Sequence, residues 1–173
     1  MWLVTLTILL IFGYSLFYRI QLKKYNESHL VERHQDDLKE QLICLLMTNH
    51  IDSENMIIVN GHFLRKTIHL WSTTTYYSYV ILLSSDSPLI LLYSYSLRKN
   101  QLIFINAFSS QQIEIKYKSD IQINLAFWNE NKNLVATVHV DIEPIPQDSY
   151  NQIKFPQKEE VNFLLKKIKG VSV

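Results

Sequence analysis

The chain divides by its pattern of apolar and polar positions. Met1 to Tyr18 carries no charge, and Arg19, Lys23 and Lys24 follow. An uncharged run of this length is about what a helix needs to cross a bilayer core. Residues 1–18 are therefore expected as a single-pass transmembrane anchor, with Trp2 at one end and Tyr14, Phe17 and Tyr18 at the other, at headgroup depth. Two alternatives are a cleaved signal peptide, with Gly13 and Ser15 as small residues but no basic n-region, and a helix buried in a soluble core. With the basic flank after the span, the positive-inside rule places the body on the cytoplasmic or matrix face.

The next segment, residues 19–48, is a juxtamembrane amphipathic helix. Leu30, His34, Leu38, Leu42 and Leu45 recur at helical spacing, with Glu32, Arg33, Asp36, Lys39 and Glu40 off the stripe. The spacing predicts a helix from about Glu27 to Met47, ended by the turn-type residues Asn49 to Ser53.

From residue 49 the period changes to two. Strands are predicted over Phe63–Trp71, Tyr76–Leu83, Leu89–Leu97 and Gln101–Phe108. Ile113, Ile115 and Tyr117 alternate with charged residues. Ile121, Ile123, Leu125 and Phe127 form one apolar set, and Leu134, Ala136, Val138, Val140 and Ile142 another. Short gaps between alternating strands predict an antiparallel meander with one wet face. Pro144 and Pro146 end it, and Gln157–Lys169 reads as a closing amphipathic helix. The fold class is thus α+β: a transmembrane helix running into an amphipathic helix, an antiparallel meander of about six to eight strands, and a C-terminal helix. Its parts are residues 1–18, 19–48 and 49–173.

Composition narrows the function. Net charge is +1, so no electrostatic case exists for nucleic acid. Cys44 is the only cysteine, which rules out an internal disulfide. It lies in an apolar helical run, where a thiol is expected to pack inertly. Few alanines and glycines beside many Ile, Asn, Lys and Tyr point to A/T-rich codons.

Candidate chemistry is sparse. His62 and His69 are seven apart and face opposite sides of a regular strand. His29 and His34 are five apart, outside helical ligand spacing. His139 beside Asp141 could form half of a metal or acid–base site, but is expected on a solvated sheet face. Glu159 and Glu160 suit the positive end of the last helix. With Gly61 alone in the domain interior, no glycine-rich phosphate loop exists. No catalytic residue, metal ligand or cofactor site is assigned, and the protein is read as a non-enzyme.

The aromatic strands carry the partner expectation. Tyr77 and Tyr79 share a face of their strand, as Tyr93 and Tyr95 do of theirs, with Tyr76 and Trp71 nearby. Together with Leu30 and Leu38 of the helix, Tyr77, Tyr79, Tyr93 and Tyr95 are the candidate partner-binding residues. The partners expected are other proteins of a membrane complex, and the bilayer itself through residues 1–18.

The hydrophobic start running into YRIQLKKYNESHLVERHQDDLKEQLICLL is similar to the long first helix of type IV pilin-like minor pseudopilins. SYSLRKNQLIFINAFSSQQIEIKY resembles their hairpin regions. The processing box of that family, before the hydrophobic run, is absent. The resemblance implies a non-enzymatic, membrane-anchored subunit of a secretion or competence assembly. Two other readings stand beside it: a subunit or assembly factor of a mitochondrial membrane complex, and a tethered β domain holding a lipid or small ligand.

Overall fold

The computed structural model describes residues 2–26, 30–51, 55–68, 72–143 and 155–170. Helix α1 spans Trp2–Asn26 and α2 spans Leu30–Thr48. Seven strands follow: β1 Met56–Ile68, β2 Ser72–Ser84, β3 Ile90–Ser96, β4 Gln101–Phe108, β5 Ile113–Lys118, β6 Gln122–Trp128 and β7 Leu134–Asp141. Helix α3, Lys158–Ile168, closes the chain. The expected ends at Trp71, Pro144 and Pro146, and the histidines His29 and His69 weighed as ligands, lie outside the described residues.

The expected anchor is corrected. Among the described residues no helix is long and apolar enough to cross a membrane. Within α1 the uncharged stretch from Trp2 to Tyr18 rises only about 26 Å against a core of about 30 Å. Thr5, Thr7, Gly13, Tyr14, Ser15 and Tyr18 dilute it, and Arg19 continues the same helix. A single-pass anchor over residues 1–18, membrane localisation and the bilayer contact are not retained. The large side chains of α1 from Leu10 to Ile20 are nevertheless exposed.

Helix α2 packs its C-terminal half on the sheet through Leu42, Leu45 and Leu46, all buried. Leu38 is half-buried, and the side chains of Leu30 and His34 lie outside the described residues. Cys44 departs from expectation: it is exposed, because it sits about 200° around the helix from Leu42. The helix ends in a Schellman motif. Ile51 N–H donates to Leu46 O at 3.0 Å and His50 N–H to Met47 O at 3.0 Å. His50 takes the left-handed position at φ 60°, where glycine is usual.

The strand order is β4-β3-β2-β1-β7-β6-β5. It is not one meander but two, β1 to β4 and β5 to β7, joined by antiparallel pairing of β1 with β7. A 3-10 turn at Ser110–Gln112 carries the chain from one edge of the sheet to the other. The sheet is curved enough that the rings of Phe108 of β4 and Phe127 of β6 meet, tilted by 60°, with centroids 5.0 Å apart. Its inner face holds the main core, including Val59, Ile81, Leu83, Phe108, Leu125 and Val138, and α3 covers it with Val161, Leu164 and Leu165.

The outer face of β2 and β3 buries Val80, Leu82 and Tyr95 under α2 and Phe155. Alternation along β2 supplies both cores, as strand geometry requires. In β4 a bulge between the partners of Leu92 and Tyr93 leaves Ile105 extra. That shift lets Leu102 face the α2 side and Phe108 the inner core. A similar shift around Lys116 in β5 turns Tyr117 out to solvent, against its expected place beside Ile113 and Ile115.

Strand β1 begins at Met56, seven residues before the expected start at Phe63. Asn60-Gly61 has the composition of a turn, yet both residues lie inside the ladder with β2. Gly61 is needed for close approach. A Cβ there would lie 2.3 Å from Val138 Cγ1 and 3.2 Å from His139 O. The glycine is what lets β1 and β7 come together.

Candidate functional site

The β1–β7 junction gathers the polar side chains of the interior. His62 pairs with His139 across the ladder, and alternation puts Asp141 on the same face as His139. His62 Nδ1 lies 3.6 Å from Asp141 Oδ2, and both side chains are buried. Asp141 Oδ1 accepts from Gln122 Nε2 at 2.9 Å. His139 Nδ1 donates to Asn124 Oδ1 at 2.6 Å. The ring of His62 stacks on Tyr76 at 5.4 Å and lies 5.7 Å from that of His139.

A second set of bonds ties this cluster to the outer core. The Asn60 N–H donates to Gln157 Oε1 at 2.8 Å, and Gln157 Nε2 donates to Asn60 O at 2.8 Å and Asp141 O at 2.7 Å. Tyr95 Oη donates to Asn60 Oδ1 at 2.7 Å. The network thus runs from Tyr95 through Asn60 and Gln157 to Asp141, crossing three strands and the segment before α3.

Electrostatics follow burial. Burial pushes the His139 imidazole below its usual range, partly opposed by the Asp141 carboxylate. Burial raises the Tyr95 phenol strongly, with Tyr76 adding to it and a Ser78 hydrogen bond opposing. It also raises Tyr79, with Tyr77 adding, and Tyr93. Lys167 is lowered by burial, with Asp86 opposing, and its ammonium holds the carbonyls of Ser84 and Ser87 in the β2–β3 turn.

The cluster differs from the solvated face expected for His139 and Asp141. Asp141 is buried and His139 half-buried. The arrangement supplies hydrogen-bonding partners to polar groups at a strand junction, which keeps them from the cost of burial unbonded. Among the described residues no group of three His, Cys, Asp or Glu could hold a metal ion. Sequence reading missed Asn60, His62 and Gln157 as one network. The available signal was parity: His62 is a polar residue in a branched, aromatic strand, as is Asn60.

The sequence-predicted partner residues separate. Leu38, Tyr77 and Tyr95 line one open groove between α2 and the ends of β2 and β3, with Tyr76, Arg98 and Lys99. The groove measures about 710 Å³. Tyr93 packs against the core under α2 and on Phe104, centroid to centroid 5.1 Å. Tyr79 lies on the opposite face, against the inner core. Leu30 is in the first turn of α2, with its side chain outside the described residues. A further groove between β5 and α3 is lined by Lys118, Lys166 and Lys169. Two of these lysines stand at the C-terminal end of α3, where cations complement the helix dipole. Comparison of the chain with protein-family models, curated proteins and solved structures finds no match.

Proposed function

We propose that this chain is a non-enzymatic subunit of a protein assembly, with α1 as its docking element. The observation that carries this reading is the exposure of Leu10, Ile11, Phe12, Leu16, Phe17 and Ile20 along that helix. Three consecutive bulky residues, Leu10 to Phe12, point about 100° apart, so the apolar surface wraps the helix and is not confined to one stripe. A contiguous surface of this kind marks an interaction site. The body supports the same reading. Its buried polar groups are spent on joining β1 to β7, and α3 and α2 cover its two cores.

A pilin-like role is the most specific version, in which apolar N-terminal helices of neighbouring subunits pack together while the sheet domains stay outside. The test is a full-length chain carrying Phe12→Glu and Phe17→Glu. Charges on α1 should abolish co-purification with the assembly while the melting temperature of the body stays unchanged. Retained partners, or a body that unfolds, would overturn the reading.

A further inference from the structure

The two edges of the sheet are unlike. Edge strand β5, Ile113–Lys118, carries Glu114, Lys116 and Lys118, the charges by which natural edges avoid pairing. Edge strand β4, Gln101–Phe108, has no charge and no proline along its length. It also exposes Ile103 at 49% and Phe104 at 53%. Those two neighbours point to opposite faces of the strand, so the apolar surface flanks the open edge on both sides.

We propose that β4 pairs antiparallel with β4 of a second copy of this chain, extending the sheet across a two-fold axis. A two-fold edge contact needs a strand that tolerates its own sequence, and an uncharged strand faces itself without like-charge repulsion. The ends of the strand add unlike charges. Arg98 and Lys99 are exposed in the turn before β4. Beyond the other end of β4 lies a groove lined by Ser109, Gln112, Glu114 and Glu130, with Lys132. Antiparallel pairing brings the basic turn of each copy toward Glu130 of its neighbour, Glu114 being paired with Lys116 of its own strand at 2.7 Å. Parallel pairing would set Arg98 and Lys99 against their own copies.

This contact is independent of α1, and the test separates the two. Full-length protein in a Cys44→Ser background carries Ile103→Cys, and is treated with a short bis-maleimide. A covalent dimer should form, and Lys116→Cys on β5 should give none. The β4 dimer should persist when Phe12→Glu and Phe17→Glu are added. Gln101→Cys, at an exposed polar position, serves as the second β4 site if Ile103→Cys does not fold. In sedimentation equilibrium, Ile103→Lys should raise the dimer dissociation constant about tenfold or more. Absence of cross-linking at both β4 positions, equal cross-linking at β5, or loss of the β4 dimer on charging α1 would each overturn the proposal. Loss of partner capture with the β4 dimer intact would concern α1 alone.

Discussion

The side chain of Gln157 makes a two-way hydrogen-bond pair with the backbone of Asn60, accepting from its N–H at 2.8 Å and donating to its C=O at 2.8 Å. This is the pattern by which one strand residue recognises another. The same amide reaches Asp141 O at 2.7 Å, so a side chain from the segment before α3 stands between β1 and β7 where their own ladder is reduced to His62 opposite His139.

Gln157 is therefore predicted to be the most costly single polar residue to replace. Gln157→Leu fills much the same volume but leaves Asn60 N–H and two carbonyls without that amide, for a loss of about 2–4 kcal/mol. Urea denaturation gives the value directly. A loss under about 0.5 kcal/mol, the range of ordinary surface changes, would mean the junction is held by other contacts.

Gly61→Ala tests the close approach of β1 and β7. The added methyl meets Val138 Cγ1 at 2.3 Å, so the strands must part or Val138 must turn. Overpacking of this kind costs about 1–3 kcal/mol. Val138→Ala should recover part of the loss in the double variant, a coupling that thermal unfolding of the four proteins would reveal. Strict additivity would argue against the contact.

His50 occupies the left-handed position after α2 at φ 60°. Glycine carries no Cβ penalty there, so His50→Gly should stabilise by about 0.5–1 kcal/mol, in contrast to the usual effect of introducing glycine. A lower melting temperature would contradict the cap assignment.

The lowered pKa of His139 gives a pH dependence of defined sign. The unfolded imidazole titrates near the ordinary value of 6.5, and the folded one below it, chiefly because burial disfavours the charged ring. Below that value the unfolded chain binds more protons, so this contribution to stability is complete above it and lost as pH falls. Stability measured from neutral to mildly acid pH should decline less steeply in His139→Gln. An unchanged slope would mean that His139 titrates alike in both states.

The strands were legible because their apolar positions alternate. The expected Gln101–Phe108 coincides with β4, and the closing helix with α3 to within a residue at each end. Tyr117 was misplaced because a bulge at Lys116 reverses parity, and a bulge leaves no mark in a period-two pattern. The start of β1 was hidden by Asn60-Gly61, a turn-like pair held in the ladder by pairing with Val80 and Tyr79 of β2. Of the partner-binding candidates, Leu38, Tyr77 and Tyr95 came together, while Tyr79 faces the other core. The network around Gln157 was not legible, since it depends on a long-range pairing of β1 with β7 that local patterning does not encode.

The central claim, that α1 is covered by other polypeptides, is tested most directly by photo-crosslinking in the cell of origin. A photoreactive residue replaces Phe12 on α1, and a control replaces Lys132 in the β6–β7 hairpin. The account predicts defined intermolecular adducts from position 12 that vanish on Phe17→Glu, and none of the same adducts from position 132. Adducts from position 12 that map only to the chain's own sheet would contradict it.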